Sequence, residues 1–472
     1  MISPSPLSTL LSRYRELMMT LPNPVQPRRQ PPLSAIHPHA AGIDVGAESH
    51  VVAVPPACDP EPVRSFQAFT GDLHRLADWL VACGIKTVAM ESTGVYWIPL
   101  YEILAARGMQ VLLANAREVK HVPGRKTDVN DAQWLQQLHT FGLLRGSFHP
   151  PAEIAALRAY LRQRERLVDY AAQHVQHMQK ALTQMNLKLQ HVVADITGQT
   201  GLQIIRAILA GTRDPQVLAN YRDRRCRHTV EEIAQALEGH YRPEHVFALE
   251  QALSLYEAYQ ERIAACDRQI EAALAPLTAP EPPAEPLPPP TSKTRQKNTL
   301  AFDVRAALYG IVGVDLTQIH GLGSALALKL VAECGTDLSA WPTAKHFVSW
   351  LCLAPGNKIS GGKLLSARTR RTSNRATSLL RLAAVTVGKT DSALGAFCRR
   401  LAMRVGKGKA ITATARKLAI LFYHTVRHGR DYLDPGAAAY EHRHRERVIH
   451  HLERRAKQFG YVLEPAPVGE VA

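Results

Sequence analysis

Between Gly42 and Ala114 the hydrophobic pattern switches repeatedly between strand-like and helix-like spacing, and after Ala152 strand spacing stops. That switch constrains the chain most. A unit built on a sheet must be followed by units built from helices, an α/β plus α fold class. Gly42–Val54 (GIDVGAESHVVAV) reads as a buried strand, a turn and a second strand, and Ser65–Phe69 as a third. Leu73–Cys83, Ile98–Arg107 and Asp128–Phe141 have helical apolar spacing. Thr87–Met90 and Gln110–Ala114 read as further strands. The expected first folded unit is therefore an α/β domain over 41–150, preceded by a Pro-rich flexible arm over 1–40.

From 151 to 275 apolar residues such as Leu157, Leu161 and Leu167 keep helical spacing through a Gln- and Arg-rich stretch. This predicts a long helical hairpin or coiled-coil-like arm, with a small helical insertion near 200–245. Eight prolines among residues 276–290 mark a semi-rigid linker over 276–296. A C-terminal helical domain over 297–435 follows, then a tail over 436–472, helical to about residue 458. No apolar run approaches the ~18 residues of a membrane span, and the first 40 residues lack the apolar core of a signal peptide. The expected setting is the cytoplasm. The seven cysteines never approach within a C-x-x-C spacing, so no zinc knuckle is written here. His442, His444, His450 and His451 lie among Arg and Glu and read as a mixed-charge helix face, not a metal tract.

Composition matters through where the charge sits. The net charge is +16, and residues 357–430 hold 17 Lys/Arg against one acid, Asp391, leaving 40 bases and 40 acids elsewhere. A folded segment this one-sided repels itself unless a polyanion is near, and nucleic acid is the obvious one. A basic surface kept only for solubility is the alternative.

Four acids stand out. Asp44 sits inside the buried strand GIDVG, where a carboxylate is costly unless it binds something. Glu91 directly follows the strand TVAM. Asp128 and Asp131, in KTDVNDAQWL, are spaced to share one helix face. Strand ends and a later helix can bring such acids to one rim of a sheet, where four carboxylates require a cation. Oxygen-only ligands suit Mg²⁺ or Mn²⁺. The plainer readings are a helix N-cap for Asp128 and an exposed loop position for Glu91.

Two glycine-rich turns lie downstream. In QIHGLGSALALKLV, Gly321 and Gly323 precede a helix, as in a helix-hairpin-helix turn that offers backbone N–H groups to a phosphate, or as in a simple helical corner. In APGNKISGGK, Ser360 stands between predicted helices, followed by Gly361 and Gly362. Lys358, Lys363, Arg368, Arg370, Arg371 and Arg375 surround it in sequence. A serine on such a loop is placed to attack a phosphate, or merely to contact one; Ser366 and Ser373 compete for the role.

GIDVGAESHVVAV, MESTGVYWIPLYEIL, GRKTDVNDAQWL, QIHGLGSALALKLVAECG and APGNKISGGK occur in an order that resembles the DEDD-type insertion-sequence transposases, the group that includes the Piv invertase and the bridge-RNA-guided recombinases. The resemblance covers about residues 41–435. It implies an N-terminal RuvC-like (RNase H-like) domain, a helical coiled-coil region and a C-terminal transposase domain. It implies a Mg²⁺-binding set of Asp44, Glu91, Asp128 and Asp131 and a nucleophilic Ser360. It also implies double-stranded DNA at element ends and target, a structured guide RNA, a homo-oligomer (dimer or tetramer), and a nucleoid-associated bacterial setting. A simpler RuvC-like nuclease that hydrolyses DNA, or a non-catalytic nucleic-acid-binding remnant, are the competing functions. The Pro-rich arm, the enlarged helical middle and the linker depart from shorter members of that group.

Overall fold

The computed structural model describes residues 34–91, 94–114, 128–279, 281, 283, 285–290 and 297–464; the side chain of Asp128 is outside that description. Residues 1–33 of the arm expected over 1–40 and the chain end at 465–472 lie outside the described residues, and Ala40 already belongs to the first strand. The chain divides into two compact units, Met1–His149 and Pro150–Ala472.

The first unit is built on five strands: β1 (Ala40–Val45), β2 (Ser49–Ala53), β3 (Val63–Gln67), β4 (Thr87–Glu91) and β5 (Gln110–Ala114). Their order is β3-β2-β1-β4-β5. β1, β2 and β3 pair antiparallel, and β1, β4 and β5 pair parallel. The short turn between β1 and β2 needs Gly46, because a Cβ there would come within 2.5 Å of the Ser49 carbonyl oxygen. Helices α1 (Thr70–Ala82) and α2 (Trp97–Ala106) place Leu76, Leu80, Leu100 and Leu104, all fully buried, in one core with Ile43, Val88 and Met90. Each such leucine contributes roughly 2 kcal/mol by leaving water. Helix α3 (Asp128–Thr140) covers a different part of the sheet, packing on β1, β2 and β4.

The second unit begins with α4 (Ala152–Gln184), which packs antiparallel to α9 (Pro243–Leu274): Leu167 and Ala171 meet Ile263, while Met178 and Leu182 share a core with Leu249 and Leu253. The buried Arg164 pairs with the buried Asp267 across the two helices. Between them lie the short helices α5 (Leu189–Val192), α6 (Gln199–Leu209), α7 (Pro215–Ala219) and α8 (Val230–Ala236). Thr229 and Glu232 close a capping box at the start of α8.

Described residues of the proline-rich stretch are tied to α10 (Val304–Val312): the Tyr309 hydroxyl donates to the Glu285 carbonyl at 2.7 Å and Arg305 donates to the Pro288 carbonyl at 2.6 Å. The remaining elements are α11 (Ser324–Cys334), α12 (Ala344–Trp350), the hairpin β6 (Lys358–Ser360) and β7 (Lys363–Ser366), α13 (Arg375–Val387), α14 (Ala393–Val405), α15 (Lys407–His428) and α16 (Gly436–Gln458). Helix α15 is central, packing on α12, α13 and α14, and its buried Tyr423 donates to the Trp341 carbonyl at 2.7 Å. Among the described residues no helix is long and apolar enough to cross a membrane.

Candidate active site

Strand alternation decides which side of the sheet the acids face. Ala41 and Ile43 of β1 point into the core under α1 and α2. Gly42, between them, faces α3 so closely that a Cβ would lie 2.2 Å from the Gln136 nitrogen and 2.4 Å from the Ala132 oxygen. Asp44, two residues on, shares the α3 side of β1. In β4, Thr87 hydrogen-bonds His139 of α3 at 2.8 Å, so Glu91, four residues on, shares that side too. Ile43 is in register with Met90 across the parallel pair, which sets Asp44 and Glu91 at the same end of neighbouring strands.

The direction of α3 completes the arrangement. Its last residue, Thr140, accepts hydrogen bonds from the Ile36 and His37 nitrogens, both at 2.9 Å, just ahead of β1. Its C-terminal end therefore lies at the beginnings of β1 and β4. Its N-terminal end, carrying Asp128 and Asp131, is directed toward their ends. Asp44 lies ~7 Å along the strand beyond Gly42, and Asp128 lies ~6 Å along the helix axis before Ala132. Asp44, Glu91 and Asp131 are all half-buried. His139 is buried, and that burial, with His37 nearby, lowers its pKa to about 4, so it clamps the far end of α3 as a neutral ring.

The donor set is all carboxylate oxygen, which fits a hard divalent cation such as Mg²⁺ or Mn²⁺. Among the described residues, no three His, Cys, Asp or Glu side chains stand close enough to share one ion; the Asp128 side chain is not among them. Just past Glu91, Val95, Tyr96 and Ile98 are exposed, an apolar edge that the motif reading of MESTGVYW left unused.

Ser360 lies in the second unit. It is the last residue of β6, paired with Lys363, and the two-residue turn between them is Gly361 (φ 53°) and Gly362 (φ 75°). Two successive positive φ angles make the tight turn that matches strand twist, and glycine adopts them without strain. The segment read as a loop is thus a hairpin. Ser360, Lys358 and Lys363 are exposed, as are Ile359, Leu364 and Leu365. The competitor Ser366 is half-buried, its Oγ accepting from the Arg368 nitrogen at 3.3 Å; the other, Ser373, is exposed.

The surrounding cations divide. Lys358, Lys363, Arg368 and Arg371 are exposed. Arg370 donates to the Ser349 carbonyl at 2.8 Å. Arg375 is held by Glu165 of α4 and lies 3.4 Å from Glu333, inside an ion-pair group with Arg158, Arg162 and Lys329 that fastens α4 to α11 and α13. Gly321 has φ 88° and packs its turn on α13, where a Cβ would meet Val387 at 2.5 Å. Gly323 caps the N-terminus of α11.

Residues 41–187, which contain all four acids, match a family model described as DEDD_Tnp_IS110, a transposase. Residues 315–399, which contain Ser360, match one described as the transposase IS116/IS110/IS902 family. No curated protein matches the chain.

Proposed function

From the premise that the chain belongs to the IS110 family of transposases, as its matches over 41–187 and 315–399 show, we propose that it cuts and rejoins the DNA of its insertion sequence with an acidic metal site and a serine nucleophile. The first unit is taken as an RNase H-like, RuvC-like domain. The sheet order β3-β2-β1-β4-β5, with Asp44 and Glu91 ending adjacent parallel strands on the side covered by α3, carries this reading. The paired helices α4 and α9 are its coiled-coil-like arm, and the Gly321–Gly323 turn its helix-hairpin-helix-like contact to DNA phosphate.

Asp44, Glu91, Asp128 and Asp131 would hold the ions. When bound, Mg²⁺ or Mn²⁺ supplies charge neutralisation at the phosphate oxygens. Ser360 supplies the nucleophile. Its Oγ attacks phosphorus as the serine proton passes to a base, a serine–phosphate ester forms, and the phosphorus bond to one DNA oxygen breaks, that oxygen leaving as a hydroxyl once it takes a proton back from the protonated base. The ester keeps the energy that hydrolysis would discard, so a second hydroxyl can later displace the serine and reseal the strand without ATP. Lys358 and Lys363 flank Ser360 on the hairpin and offset phosphate charge. A structured guide RNA and a homo-oligomer complete the reading, consistent with a basic excess confined to 357–430.

Ser360→Ala tests the nucleophile. It is expected to fold and bind DNA as wild type does and to form no denaturation-resistant protein–DNA adduct. An adduct that persists in Ser360→Ala, or maps to Ser366 or Ser373, would refute the choice.

A further inference from the structure

Helices α15 and α16 lie entirely beyond the residues matched by either family model. With α14 they form a groove whose cations come from all three helices: Arg400 and Arg404 from α14, Lys417 from α15, and Arg447 from α16. The spacing is helical: Tyr440, His444 and Arg447 fall on one stripe of α16, and Arg400 and Arg404 on one stripe of α14. No acid lines this groove itself; Glu446 lines the cavity that continues it past Lys417 and Arg447. Glu441, beside it, pairs with Arg400, which also lies over the Tyr440 ring. Among the described residues no carboxylate pairs with Arg404, Lys417 or Arg447.

The floor is aromatic, and the Lys417 ammonium lies 4.7 Å from the centre of the Phe397 ring. The groove is positive enough to act on a neighbour: burial first, then Arg400, Arg447 and Arg404, hold His444 below the usual histidine range. A purely structural contact between three helices would be served better by apolar side chains or by matched charges. Arg404, Lys417 and Arg447 are exposed, so the groove presents three cations without carboxylate partners to an incoming anion.

We propose that this groove is a second nucleic-acid site, taking the phosphodiester backbone of a strand through Arg404, Lys417 and Arg447. The proposal rests on the reading of the protein as a nucleic-acid-processing enzyme but not on its acidic set or its serine. The ligand chemistry is shared by a duplex and a single strand, and the test separates them.

The experiment uses the full chain and two fluorescein-labelled oligonucleotides of mixed sequence, one single-stranded and one duplex. Binding is followed by anisotropy across a KCl series. Arg404→Gln with Arg447→Gln is expected to weaken binding about tenfold and to lower the salt slope by about 1.4 to 1.8, two contacts at roughly 0.7 to 0.9 each. A loss confined to the single strand assigns the groove to unpaired nucleic acid; a loss on the duplex assigns it to DNA. Either supports the site. Unchanged affinity and slope on both probes would overturn it. If the double variant fails to fold, Lys417→Gln decides, since Lys417 is exposed: its slope should fall by about one on at least one probe, and no change would overturn the proposal. Asp44→Asn should retain both slopes while losing strand cleavage, so failure of the groove leaves the acidic-site reading standing, and the reverse holds as well.

Discussion

The acid rim and the serine hairpin are built in opposite ways. At the rim, position follows from burial. Gly42 admits a helix backbone against β1, Thr87 and His139 anchor the far end of that helix, and parallel register carries Asp44 and Glu91 to one edge. At the hairpin nothing is buried around the key residue. Ser360 is exposed, its neighbours Ile359, Leu364 and Leu365 are exposed, and its geometry rests on two glycine φ angles. A metal site needs carboxylates fixed before the ion arrives. A nucleophile that must reach a DNA strand needs access more than enclosure.

The largest effect that could break this contrast lies at Gly42. Gly42→Ala puts a Cβ 2.2 Å from a backbone nitrogen of α3, so the helix must move. We expect a loss of about 3 kcal/mol or more from the first unit, read by chemical denaturation, together with loss of strand cleavage. A stability within about 0.5 kcal/mol of wild type would mean that α3 does not lie against β1 as described.

Next is the clamp at the other end of α3. His139 has its pKa lowered from 6.5 to about 4 by burial and by His37. The unfolded chain therefore binds this proton more readily than the folded one. The contribution of the neutral ring is fully present above 6.5 and is lost as pH falls through about 4. Wild-type stability should decline across that window, and His139→Gln should flatten the decline. An equal slope in both proteins would remove His139 from the account.

The smallest effect belongs to the hairpin. Gly361→Ala and Gly362→Ala each force a side chain into positive φ, at a cost of about 1 kcal/mol that falls on the turn alone. Global unfolding should barely change, whereas adduct formation at Ser360 should fall. A drop in global stability as large as that of Gly42→Ala would show that the hairpin is not the independent element described.

The same contrast explains what was legible in the sequence. The strands and helices of the first unit could be read because buried elements carry periodicity: Thr87–Met90 and Gln110–Ala114 recur as β4 and β5 nearly to the residue. Asp44 stood out because an acid among Ile43 and Val45 violates that pattern. The long helix pair α4 and α9 was equally plain, and the helix read to about residue 458 is α16. The β6–β7 hairpin was missed, because three- and four-residue strands with no buried face leave no period to detect. Its signal was local, a Gly-Gly pair between Ile359 and Leu364. The role of Arg375 was also hidden: its partners Glu165 and Glu333 are far away in sequence, and a basic run looks alike whether its members face phosphate or a carboxylate.

The central claim is that carboxylates at the ends of β1 and β4 and the start of α3 form one cation site. Mn²⁺ binding to the full chain, followed by electron paramagnetic resonance in wild type and in Asp44→Asn, tests it most directly. The account predicts that wild type takes up Mn²⁺, that Mg²⁺ competes for it, and that Asp44→Asn folds normally but loses that binding. Equal Mn²⁺ uptake by both proteins would contradict it.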